Sequence, residues 1–111
     1  MSAVSTHVLD TAAGTPAAGV PVVLERLDGP DVETVATAST DADGRAGLLG
    51  PDILVSGIYR LGFDTGAYFA LTGRPTFYPV VEVTFRLDAS SGHHHVPLLL
   101  SPFAYSTYRG S

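Results

Sequence analysis

The chain contains no cysteine, which excludes disulfides and thiolate zinc sites. Charge is also sparse: 15% of residues are charged, against 45% apolar. That balance is too apolar for a disordered chain, and the thin surface charge suggests that copies of the chain cover part of one another. Basic residues are the scarcer sign, six against eleven acidic, for a net charge of −5. A nucleic-acid binder normally carries a basic excess, so nucleic acid is not the expected partner. No apolar run approaches the roughly 18 residues of a membrane-spanning helix, and no membrane partner is expected. The opening Met-Ser-Ala-Val-Ser-Thr-His has neither the basic region nor the apolar stretch of a signal peptide, so a cytoplasmic location is expected. The length of 111 residues suits one domain over 1–111. A domain of that size buries roughly two-thirds of its unfolded surface, enough for a core without staples.

Twelve glycines and eight prolines cut the chain into short pieces rich in Val, Leu, Thr, Tyr and Phe, which favours strands over helices. Strands are expected over 4–11, 20–27, 32–40, 45–48, 57–63, 79–87, 94–101 and 104–108. Turns fall at Gly14-Thr15-Pro16, Asp28-Gly29-Pro30 and Asp41-Ala42-Asp43-Gly44. Val81, Val83, Phe85 and Leu87 alternate cleanly with Glu82, Thr84 and Arg86, the signature of a half-buried strand. One short helix is expected over 65–72, capped by Asp64 or Thr65 and closed by Gly73. Strands at this spacing indicate an all-β sandwich or barrel. Tyr68, Phe69, Phe77 and Tyr78 read as packing aromatics, and Glu25 and Glu82 as solvated strand faces.

Four histidines carry the chemistry on offer: His7, and the consecutive His93, His94 and His95. On a strand His93 and His95 share a face, so they could give two zinc ligands, with His7 or a carboxylate as a third. General acid–base chemistry is the other reading, since imidazole titrates near neutral pH. Strand parity puts His7 on a face with Ser5 and Leu9, His95 with Pro97 and Leu99, and Tyr108 with Ser106. If these strands are neighbours, their polar groups converge. There is no Gly-x-Ser-x-Gly elbow and no phosphate-cradling loop. The tail from Tyr105 to Ser111 is rich in strand formers to its last residue, so it is expected to dock in the sheet rather than fray.

Several of these segments together resemble the 5-hydroxyisourate hydrolases, the transthyretin-related enzymes of urate breakdown. The opening Ser5-Thr6-His7-Val8-Leu9-Asp10-Thr11 is similar to theirs, as are His95-Val96-Pro97-Leu98-Leu99-Leu100-Ser101-Pro102 and the ending Tyr108-Arg109-Gly110-Ser111. Gly19-Val20-Pro21-Val22, Asp43-Gly44-Arg45, Tyr59-Arg60-Leu61 and Asp64-Thr65-Gly66 also fit. The terminal Tyr-Arg-Gly-Ser is the specific signal, because it separates the hydrolases from the hormone-carrying transthyretins. One departure is visible: His94 stands where the family usually has Tyr, on the face opposite to His95.

The resemblance implies a transthyretin-like sandwich of two four-stranded sheets with one short helix. It also implies a homotetramer, a dimer of dimers, with the sites in a channel between dimers. The implied reaction is hydrolysis of a cyclic amide C–N bond, converting 5-hydroxyisourate to 2-oxo-4-hydroxy-4-carboxy-5-ureidoimidazoline in purine degradation. Carried over residue by residue, the catalytic set is His7, Arg45 and His95, with His7, Arg45, Tyr108, Arg109, Gly110 and Ser111 binding substrate. No metal or cofactor is implied. His7 is the favoured general base, Arg45 the holder of developing negative charge, and the tail closes the pocket. The alternatives are a non-catalytic carrier of a small aromatic ligand in the same channel and a zinc-dependent module.

Overall fold

One strand organises the molecule. In the computed structural model, which describes residues 2–111, strand β1 (Val4–Asp10) alternates buried and half-buried positions along its whole length. Val4, Thr6, Val8 and Asp10 point inward, while Ser5, His7 and Leu9 lie on the outer face. On one flank β1 pairs antiparallel with β2 (Thr15–Pro16) and β5 (Arg45–Ala46). On the other it pairs parallel with β8 (His94–His95) and β9 (Leu98–Ser101). Strand β10 (Ala104–Thr107) extends the sheet by pairing antiparallel with β9. Facing it is a four-stranded antiparallel sheet in the order β4 (Asp31–Ser39), β3 (Pro21–Asp28), β6 (Gly57–Phe63), β7 (Val81–Leu87). The expected sandwich of two sheets is therefore present, one of four strands and the other of six. In the first sheet each flank of β1 is occupied by two short segments instead of one strand.

The expected continuous strand over 94–101 is split at Val96-Pro97. Pro97 has no N–H to give to a ladder, so pairing lapses there. The carbonyls freed by the gap are satisfied by side chains: Thr6 Oγ1 donates to Val96 O at 2.6 Å and Thr107 Oγ1 to Pro97 O at 2.6 Å. Pairing resumes in the same register, Ser5 opposite His95 before the break and Val8 opposite Leu98 after it. Alternation thus survives, with His94, Val96, Leu98 and Leu100 buried. The segment 45–48 pairs only over Arg45–Ala46, 79–87 only from Val81, and the last strand stops at Thr107, before Tyr108. Thr15–Pro16, expected as turn alone, forms a short strand.

Between the sheets, Val4, Val8, Leu24, Tyr59, Leu61, Phe63, Leu98 and Leu100 are fully buried, each contributing roughly 1.5–3 kcal/mol of apolar burial. Helix α1 (Thr65–Leu71) follows β6 and buries Tyr68 and Phe69. Asp64 caps it by accepting from the Ala67 N–H at 3.0 Å. Gly73, at φ +66°, closes it with its N–H on Ala70 O at 3.2 Å. Two expectations are corrected. Phe77 is 68% exposed and lies outside the core, packing edge-on against Tyr78 with ring centres 5.1 Å apart. Glu25 and Glu82 are not merely solvated, since they bracket Arg60 at 2.8 and 3.4 Å.

A polar cluster on the inner face of β1 was not anticipated. The Asp10 carboxylate accepts from Tyr68 Oη at 2.7 Å, from the Ala13 N–H at 2.9 Å and from Arg74. The Arg74 guanidinium in turn lies 4.9 Å from the Phe69 ring centre. Burial alone would push the Asp10 pKa up, but the Arg74, Ala13 and Tyr68 hydrogen bonds outweigh it and hold the carboxyl at about 2.

Candidate active site

The outer face of β1 meets its neighbours through a turn built by Asp41. Its side chain accepts from the backbone N–H groups of Asp43 at 2.9 Å and Arg45 at 3.0 Å. Gly44 sits at φ +76°, and a Cβ there would meet the Val8 carbonyl oxygen at 2.4 Å. Only glycine lets the turn press this closely on β1, where the Val8 N–H donates to Gly44 O at 2.7 Å. The result is a fixed register that places Arg45 directly opposite His7. His7 Nε2 donates to the Asp43 carbonyl at 2.8 Å. A carbonyl can only accept, so in neutral His7 the lone pair is on Nδ1. Arg45 is exposed and makes no ion pair among the described residues.

On the other flank, parallel pairing sets His95 opposite Ser5. The Ser5 hydroxyl bridges two imidazoles, with Oγ 2.7 Å from His95 Nδ1 and 2.7 Å from His93 Nε2. The two rings are near-parallel, with centres 6.5 Å apart. His93 Nδ1 donates to the Ser2 carbonyl at 2.7 Å. Burial, then the charges of His93, Arg45 and His7, push the His95 pKa below the ordinary histidine value. His95 is therefore neutral over a wider acid range than a free imidazole.

The tail does dock. The Gly110 N–H donates to His95 O at 2.8 Å, in an isolated antiparallel bridge beyond β10. A Cβ on Gly110 would lie 2.6 Å from His95 Cδ2 and 3.3 Å from Pro97 Cγ. Glycine is what lets the tail lie against the imidazole edge. Ser5, Arg45, His93, His95 and Ser111 line one open cleft of about 310 Å³.

Most of the sequence-derived set is thus brought together, with two qualifications. His7 lies opposite Arg45 in the β1–β5 ladder but does not line the cleft. Tyr108 and Arg109 line a separate cleft beside β7, with Phe85, Arg86 and Val96. His94 points away from His95 as parity predicted, and that direction is inward. It is 3% exposed, with Nδ1 donating to Gly92 O at 2.9 Å and Nε2 accepting from the Asp88 N–H at 3.3 Å. Sequence reasoning passed over Ser5 as a working part and weighed His93 only as a zinc ligand. The available signal was parity, which had already put Ser5 on His7's face and His93 on His95's.

A split-sheet sandwich of this topology, with its polar residues gathered on the outer face of β1, defines the transthyretin-like class of folds. The chain belongs to the HIUase/Transthyretin family, whose model matches residues 4–110. It is 48% identical to the 5-hydroxyisourate hydrolase of Caulobacter vibrioides, over 100% of both chains. Among solved structures it is similar to Klebsiella pneumoniae 5-hydroxyisourate hydrolase, with TM-score 0.86 and 42% identity over 97% of this chain and 98% of that one. It is also similar to transthyretin from Sparus aurata, with TM-score 0.90 and 34% identity over 99% and 97%. The fold is shared with transthyretin, while the relatives of higher identity over the full chain are 5-hydroxyisourate hydrolases.

Proposed function

We propose that the chain hydrolyses 5-hydroxyisourate and that the outer face of β1 is its active site. The observation that carries this reading is a neutral imidazole, His95, held beside an unpaired guanidinium, Arg45, in one cleft. In this scheme His95 Nε2 takes a proton from water as the oxygen adds to the ring carbonyl carbon. Arg45 holds the oxyanion in its planar fork. The C–N bond then breaks, the imidazolium returns the proton to the departing nitrogen, and the ring opens to a carboxylate. His7, with Nδ1 free to accept, orients the substrate's N–H groups. His7 was the favoured base from sequence alone. The geometry favours His95, which lines the cleft and whose pKa is lowered.

The assembly belongs to the same proposal. Strand β10 is exposed at every position, and Tyr105 within it and Phe103 and Tyr108 at its ends are large and open to solvent. A homotetramer, a dimer of dimers, would cover that edge and the apolar Leu9 and Leu99 around the cleft. It would also let a partner's Tyr108 and Arg109 complete the substrate site. The reaction is assigned to the cytoplasm. Light scattering should return a mass of about four chains, and a stable monomer would remove the channel from the scheme.

A carrier of a small aromatic ligand is the second reading, favoured by the closeness of the backbone to transthyretin. One assay separates the two. 5-Hydroxyisourate is generated from urate with urate oxidase, the protein is added, and the ultraviolet decay is followed. Decay well above the spontaneous rate is expected. Decay at the spontaneous rate would leave only the carrier.

A further inference from the structure

We propose that Ser5 and His93 are positioning residues that lock the tautomer of His95, leaving its Nε2 lone pair free toward the cleft. The inference deepens the active-site reading above and rests on it. It follows from proton counting along one chain of hydrogen bonds. The Ser2 carbonyl can only accept, so His93 Nδ1 carries a proton. In neutral His93 the other nitrogen, Nε2, is then an acceptor, and among the described residues the donor on it is the Ser5 hydroxyl. A hydroxyl has one proton. Having given it to His93, Ser5 Oγ must accept from His95, which places the His95 proton on Nδ1. Nε2 is left bare. Ser5 thus converts a backbone carbonyl three residues away into a tautomer choice on the working imidazole.

The ring is held on both near edges as well. Nδ1 is tied to Ser5, and Cδ2 lies against Gly110. A flipped ring would offer carbon to the Ser5 hydroxyl, so the distal edge that carries Nε2 is the one left for chemistry. His93 is exposed and also lines a second cleft of about 260 Å³ with Ser2, Ala3 and Asp52. It therefore links the inner imidazole to solvent on the far side. The charged and titratable groups around His95 are His93 on its own segment, His7 on β1 and Arg45 on β5. Because His94 is tied to Gly92 and Asp88 on the inner face, it takes no part.

The test uses the full-length protein with ¹⁵N-labelled histidine. Only four rings contribute, so long-range proton–nitrogen spectra resolve the tautomer of each. Wild type should show His95 as Nδ1–H. Ser5→Ala should shift His95 toward Nε2–H and lower kcat about 10–100-fold, the range typical when an orienting partner of a working histidine is lost at metal sites, with KM changed little. Ser5→Thr, which keeps the hydroxyl, should restore both. An Nε2–H tautomer for His95 in wild type would overturn the proposal. So would a Ser5→Ala protein with unchanged tautomer and kcat alongside an inactive His95→Asn. Should His95→Asn keep full turnover, the active-site reading falls, and the tautomer shift in Ser5→Ala still decides for or against the lock.

Discussion

The two faces of β1 carry two polar clusters of opposite character. On the inner face, Asp10 is saturated. Both carboxylate oxygens are taken by Tyr68, Ala13 and Arg74, and no buried polar side-chain atom among the described residues lacks a partner. On the outer face of the same strand the cluster is unsaturated. His95 Nε2, His7 Nδ1 and the Arg45 guanidinium have no partner within the chain among the hydrogen bonds and ion pairs described above. A saturated network in a low-dielectric interior rigidifies. An unsaturated one at a cleft keeps capacity for substrate, and the saturated one behind it holds it still.

That contrast breaks most visibly at Arg45. Arg45→Ala should lower kcat/KM about 10²–10³-fold, the range for losing one donor to a developing oxyanion, with kcat and KM both affected. Its melting temperature should stay within a few degrees of wild type, because Arg45 makes no ion pair among the described residues. Steady-state kinetics and calorimetry on one preparation check both halves.

Asp10→Ala should do the reverse. It leaves the Tyr68 hydroxyl and the Ala13 N–H without their acceptor, at about 1–3 kcal/mol each. A loss of roughly 2–4 kcal/mol and a clear drop in melting temperature are expected, with kcat at low temperature within about threefold. A stable but inactive Asp10→Ala would show that the two faces are not separable in this way.

How much of this was legible in the sequence follows the same division. Alternation is a property of the residues themselves, so β7, the faces of β1, and the opposite faces of His94 and His95 could all be read before folding. The hydrolase-type terminus pointed to Gly110 but not to its job, since a glycine against an imidazole edge is visible only in three dimensions. The Asp10–Tyr68–Arg74 cluster joins β1 to α1 and the turn after it, 58 and 64 residues further along the chain, and no local pattern announces it. The break at Pro97 was marked by the proline. Its consequence, an unchanged register with Thr6 and Thr107 filling the gap, depended on neighbours. Tyr108 shows the limit of parity, because β10 ends one residue before it and alternation no longer governs where it goes.

Gly110→Ala sharpens the outer-face claim at smaller cost. The added methyl would force the His95 ring or the tail to move, and about a tenfold loss of kcat is expected with little change in melting temperature. Acid then separates the clusters. The folded-state pKa of Asp10 lies below its unfolded value of 3.8. Its contribution is therefore complete above about pH 4 and lost as pH falls through about 2. Because Arg74 remains partly in solvent, that contribution is about 1–2 kcal/mol, readable as lower stability in urea titrations at pH 2–3 than at pH 5. Activity should fail at higher pH than stability does.

The most direct measurement is the pH dependence of kcat/KM for wild type, His95→Asn and His7→Asn. A lowered His95 pKa predicts an acid limb in wild type whose midpoint lies below the ordinary histidine value of 6.5. That limb should persist in His7→Asn. It should vanish in His95→Asn along with about 10²–10⁴ of the rate. A limb that survives in His95→Asn and disappears in His7→Asn would contradict the account and return the base to His7.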